Sequence, residues 1–151
     1  MAVERTATAE WQGDLASGSG KVSTASGVVR DATLQWSSRA ERADENTSPE
    51  ELIAAAHAAC VSMALAHALA EAGTPAQRIE TEATSTFDKA GDGFRMTTMR
   101  LAIRGQVDGI DENGFQEAAE QAKDNCPVSQ ALSGNVDVTL EASLLHAASV
   151  S

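Results

Sequence analysis

Residues 48–71 read SPEELIAAAHAACVSMALAHALAE, and the fold turns on how this stretch is read. Ser48 stands where a helix cap belongs. Pro49 follows at the first helical position, where a missing N–H costs nothing, and Glu51 comes three residues after Ser48 as in a capping box. Glu50 and Glu51 also sit where the helix dipole favours negative charge. From Leu52 to Leu69 apolar side chains occupy nearly every face. The pattern predicts one helix over about 49–71, buried on all sides, with Gly73 and Pro75 closing it. Residues 52–70 have the length of a membrane span. They contain His57, Cys60, Ser62 and His67 and are otherwise rich in weakly apolar Ala, so a buried helix of a soluble domain is the better reading.

Toward the C-terminus, Ile79 to Phe87 alternates as a strand, residues 89–93 make a hairpin loop, and Phe94 to Val107 returns. The apolar phase of the return strand switches between Met96 and Met99, which predicts a bulge. Asp111 caps a second helix that places Phe115, Ala118, Ala119 and Ala122 on one side and runs to Asn125-Cys126. Pro127 stops it or opens a further short helix, and Asn135 to Leu144 alternates as a final strand. Toward the N-terminus, residues 4–12 and two short runs within 21–36 form an antiparallel meander, followed by a polar loop over 37–48. Helices and hairpins are segregated, so the class is α+β: one domain over 1–151, with antiparallel sheets around a long central helix.

The chain has 151 residues, 42% hydrophobic and 22% charged, a globular composition. Aromatics are 3% and Tyr is absent, so bulk comes from aliphatic residues and Ala. Eleven Lys plus Arg against 22 Asp plus Glu leave a net charge of −11. Such a surface repels phosphate backbones and anionic lipid, which argues against nucleic-acid and membrane partners. The N-terminus lacks a basic segment followed by an apolar run, so the expected location is cytoplasmic. Two cysteines in a reducing compartment are not a structural staple by default.

Cys60 lies in the middle of the apolar helix, where simple burial leaves a thiol inert; a reactive Cys60 needs a nearby cation. Arg39, Arg42 and Arg78 are the nearest in sequence, and Glu50 or Glu51 is available to hold an arginine. Cys126 sits at a helix end beside Pro127, and any bridge across the intervening chain needs tertiary proximity. His57, three residues before Cys60, could pair with it as an activating base. His57, Cys60 and Cys126 could also be metal ligands, although no CxxC or HExxH spacing supports this. Packing is the commoner role for a lone cysteine or histidine on such a helix.

The run Thr47 to Leu52, continuing through AAAHAAC to Cys60 and SMAL, resembles the signature of the OsmC/Ohr family, whose names stand for osmotically inducible protein C and organic hydroperoxide resistance. Cys126-Pro127-Val128-Ser129 is similar to that family's second cysteine motif, and Ser38-Arg39 to its upstream arginine. AAHAAC and SMAL place the likeness on the OsmC branch. The resemblance implies an OsmC-like fold and an intertwined homodimer whose long helices lie between sheets. It implies a thiol-dependent peroxidase for organic hydroperoxides and hydrogen peroxide, reset by an external dithiol, with no cofactor and no metal. It makes Cys60 the peroxidatic cysteine and Cys126 the resolving one. Arg39 becomes the thiolate-stabilising cation and Glu50 the carboxylate that holds it. Ala40 and Val61 depart from positions that are often aromatic in relatives, which would open space near the pocket. A non-catalytic stress or ligand-binding protein with the same fold is the alternative.

Overall fold

The computed structural model describes residues 1–145, which form two compact units, the first ending at Leu52 and the second beginning at Ile53. In the first unit β1 (Ala7–Gln12), β2 (Ser19–Thr24) and β3 (Ala32–Leu34) make the expected antiparallel meander, with Ala7 opposite Thr24 and Gly20 opposite Leu34.

The segment after it departs from expectation. Trp36–Ala40 is a short helix, α1, inside what reads as a polar loop. Its polar side chains bond to one another. The Ser38 hydroxyl donates to Asp44 Oδ2 at 2.9 Å, and Asn46 Nδ2 donates to Ser38 Oγ and to Gln35 Oε1, each at 3.3 Å. The Asn46 N–H and the Ser38 hydroxyl hold the Asp44 carboxyl below its ordinary range. A turn organised by such bonds carries no hydrophobic period for a sequence reading to detect.

The long helix α2 (Pro49–Glu71) begins as its sequence demands. The Glu51 N–H donates to Ser48 Oγ at 3.0 Å, and the Glu51 carboxylate accepts from the Thr47 hydroxyl at 2.8 Å. It ends with Gly73 at φ +87° and the Thr74 N–H bonded back to the Leu69 carbonyl at 2.9 Å, a left-handed stop that suits glycine. Burial along α2 is narrower than expected. Ala54, His57, Val61, Leu65 and Leu69 are buried, while Ala56, Ala59, Met63, Ala66 and Ala70 form a second stripe that is exposed in the single chain, Met63 to 73%. By length and composition α2 also qualifies as a membrane span, with a mean hydropathy of 1.8 over 18 residues. From Ala54 onward, though, its buried stripe belongs to one apolar cluster with the strands and helices that follow.

Those are β4 (Ala76–Ala90), β5 (Gly93–Val107), α3 (Glu112–Asn125), α4 (Pro127–Leu132) and β6 (Asp137–Leu144). β4 and β5 are an antiparallel hairpin. Thr86 faces Thr98 and Phe87 faces Met96, so Thr97 is the extra residue of a bulge, located where the apolar phase switches. Beyond the bulge Met99, Leu101, Ile103 and Val107 point into the core. Asp111 caps α3 by accepting from the Gly114 N–H at 2.7 Å, and Phe115, Ala119 and Ala122 are its buried face.

β6 corrects the antiparallel expectation. It pairs parallel with β5, from Thr98 opposite Asp137 to Gly105 opposite Leu144. α3 and α4 carry the chain back to the start of β5, and such a crossover is what a parallel pair requires. Alternation in a strand reports its faces and is blind to its direction. The sheet order is β4-β5-β6, and the α+β class stands.

Gly105 lets α3 approach this sheet. A Cβ there would run into the Phe115 ring, which is fully buried. G105A is expected to destabilise the protein by about 1–3 kcal/mol through overpacking, read as a lowered midpoint in urea at unchanged slope.

Candidate active site

Cys60 sits on α2 beside the buried stripe and keeps partial exposure, whereas Cys126 is fully buried at the junction of α3 and α4. Both are free thiols, and they hydrogen-bond to each other. The crossover that makes β6 parallel is also what returns Cys126 to the middle of α2. Sequence spacing alone left this proximity open.

The two sulfurs share charge unequally. Burial, and then the hydrogen bond to Cys126, push the Cys60 thiol up, with the Val128 N–H pulling weakly the other way. Burial opposes charge on Cys126 too. It is outweighed there by the Cys60 thiol, the N–H groups of Ser129 and Val128 and the Ser129 hydroxyl, so the Cys126 thiol is held down. These donors exist because Pro127 starts α4 directly after Cys126, leaving the first N–H groups of that turn without helical partners.

His57 does not pair with Cys60 through its bonded nitrogen. It is fully buried, and its Nε2 lies 2.7 Å from Ser129 Oγ. Burial lowers its pKa, so the ring is neutral near pH 7. Ser129, within the CPVS run but given no role by the sequence reading, is thus bonded on both sides. Among the described residues no group of three or more His, Cys, Asp or Glu side chains is arranged to hold a metal ion. Val61 is fully buried in the apolar cluster, so its smaller side chain is accommodated by packing in the core.

In the first unit Arg39, in the last turn of α1, meets Glu50, in the first turn of α2. Arg39 Nε donates to Oε1 at 3.0 Å and a terminal nitrogen donates to Oε2 at 2.9 Å. This is a two-pronged charge-assisted pair, and Glu50 is only 7% exposed. The other arginines are held differently. Arg42 lies 3.7 Å from Asp44 with a 70% exposed side chain, and Arg78 pairs with Glu80. Of the two carboxylates open to the role, Glu50 holds the arginine and Glu51 serves the helix start. The fork fixes the guanidinium in orientation.

A family model described as "OsmC-like protein" matches residues 42–141, which include Glu50, Cys60 and Cys126. The chain is 42% identical over 141 residues to "Peroxiredoxin OsmC" of Escherichia coli, covering 93% of this chain and 96% of that one. It is 34% identical over 127 residues to "Organic hydroperoxide resistance protein OhrA" of Bacillus subtilis, covering 81% and 86%. Among solved structures, an organic hydroperoxide resistance protein OsmC from Legionella pneumophila superposes with a TM-score of 0.74 at 26% identity, over 95% of this chain and 99% of that one. OhrB of Bacillus subtilis gives a TM-score of 0.66 at 29% identity, over 91% and 98%. The chain belongs to the OsmC/Ohr family, on its OsmC branch.

Proposed function

We propose that this protein is a cysteine-based peroxidase that reduces organic hydroperoxides and hydrogen peroxide in oxidative and osmotic stress. The observation that carries the reading is the bonded thiol pair, one sulfur partly exposed and the other buried. The names of the relatives, peroxiredoxin and organic hydroperoxide resistance protein, support it.

In this reading the Cys60 thiolate attacks one peroxide oxygen. The O–O bond breaks, an alkoxide or hydroxide leaves and takes up a proton, and Cys60 becomes a sulfenic acid. Cys126 then attacks that sulfur, expelling water and forming a disulfide before further oxidation occurs. An external dithiol resets the pair by exchange. Because Cys60 is held up by burial, the first step at neutral pH needs a cation. Arg39 is our assignment for it: its fork is already oriented by Glu50, and a guanidinium favours both the thiolate and the departing oxygen. No cofactor enters this chemistry. We assign the exposed Ala56, Ala59, Met63, Ala66 and Ala70 stripe to a homodimer contact, where a second copy would cover it. We further propose that the enzyme works in the cytoplasm, without nucleic-acid or membrane partners.

Three outcomes follow. C60S is expected to abolish peroxide turnover. C126S should allow one turnover and then accumulate sulfenic or over-oxidised Cys60, read by mass spectrometry; wild-type turnover in C60S would reject Cys60 as nucleophile, and no turnover in the wild type itself would favour a binding protein of the same fold.

R39A is expected to move the pH profile of Cys60 oxidation to higher pH, since losing the cation leaves the burial penalty uncompensated, and to lower the limiting rate about 100-fold. R39K should recover part of the shift without the forked geometry, and E50A should act in the same direction more weakly. Identical profiles in all four proteins would exclude Arg39 from the reaction.

Wild type should sediment as a dimer at micromolar concentration and M63E as a smaller species. A monomeric wild type would remove the dimer assignment.

A further inference from the structure

His57 is a fully buried imidazole that the peroxidase scheme above does not use. Its Nε2 is 2.7 Å from Ser129 Oγ, and its Nδ1 is buried without a hydrogen-bond partner. Only one tautomer makes sense of both facts. With the proton on Nδ1, a buried N–H would be orphaned. Ser129 would also have to spend its single hydrogen on Nε2, leaving none for Cys126. With the proton on Nε2, only a bare lone pair lacks a partner, which is the cheaper deficiency. Nε2–H then donates to Ser129 Oγ, and the Ser129 hydroxyl donates to the Cys126 sulfur. The row of donors runs from α2 through α4 and ends on Cys126, away from Cys60.

We propose that His57 and Ser129 are positioning residues that aim a relayed hydrogen bond at Cys126, and so make Cys126 the sulfur that departs as thiolate when an external dithiol reduces the Cys60–Cys126 disulfide. The proposal rests on the thiol cycle described above. One thiolate of the dithiol attacks the sulfur of Cys60, the partly exposed residue of the pair. A bond forms between the reductant and Cys60, the S–S bond breaks, and its electron pair goes to Cys126. The second thiolate of the reductant then displaces Cys60, leaving the reductant oxidised to a cyclic disulfide and both protein cysteines reduced. Thiol exchange is faster when the leaving sulfur is the more acidic one. The Ser129 and Val128 N–H groups contribute to that acidity, and the relay adds a side-chain donor whose direction is fixed by His57.

The test uses the full-length protein oxidised with diamide, so that it does not depend on peroxide. Reduction of the disulfide by dithiothreitol is followed in wild type, S129A, S129T, H57L and H57Q. S129A and H57L are expected to slow reduction about fivefold, since the rate expresses only part of one hydrogen bond to the departing thiolate, and S129T and H57Q, which keep a donor in place, to recover most of the rate. In a C60S background, titration of thiolate absorbance should show the Cys126 pKa raised by S129A and H57L and restored by S129T and H57Q. Packing alone would not produce that pattern. Wild-type reduction rates in S129A and H57L would overturn the relay, as would H57Q behaving like H57L. Failure of Cys60 to react with any hydroperoxide would instead overturn the peroxidase reading and leave these reduction rates unaffected.

Discussion

Burial of a single stripe of α2 is the constraint on which the second unit depends. Val61, Leu65 and Leu69 join Met99, Leu101 and Ile103 of β5 and Phe115, Ala119 and Ala122 of α3 in one apolar cluster. Fully burying a side chain such as Leu is worth about 1.5–3 kcal/mol, so this contact fixes the rotation of α2 about its axis. Rotation is what matters chemically. It turns His57 fully inward and leaves Cys60, one residue before Val61, at the border between core and solvent. A thiol at that border can meet a dissolved oxidant while its neighbour stays dry.

The same cluster explains what could be read from the chain and what could not. Local signals were legible wherever one residue does one local job. Ser48 and Asp111 start helices, Gly73 ends one, and the phase switch before Met99 announces the bulge at Thr97. Non-local facts were not. The direction of β6 depends on the path of α3 and α4, which alternation at Val136, Val138 and Leu140 does not encode. α1 escaped because Ser38, Asp44 and Asn46 hold it by side-chain bonds. α2 looked apolar all round, and a single chain covers only half of it.

For the site, the cysteines and the arginine were recognisable as motifs, but their partnerships were not. Glu50 and Glu51 are adjacent and identical in type. Only the geometry separates the one that grips Arg39 from the one that closes the helix start. His57 was noticed for its spacing from Cys60, yet its bond goes to Ser129, 72 residues along the chain. Spacing on a helix says which residues share a face, and says nothing about what the next helix brings to that face.

The contact between Cys60 and Cys126 has a mechanical side as well. The two residues are far apart in the chain, yet the fold brings their thiols close enough to shift each other's acidity. A covalent link at that point would tie α2 to the start of α4 and close a loop of more than sixty residues in the unfolded ensemble. In the chain-entropy account such a loop removes about 4 kcal/mol of disorder from the unfolded state. In the proposed cycle the oxidised protein would therefore be the harder of the two to unfold. Resistance to heat and proteolysis would then rise and fall with the oxidation state of a single pair of atoms, and the molecule would be at its sturdiest in the interval between losing its thiols and regaining them.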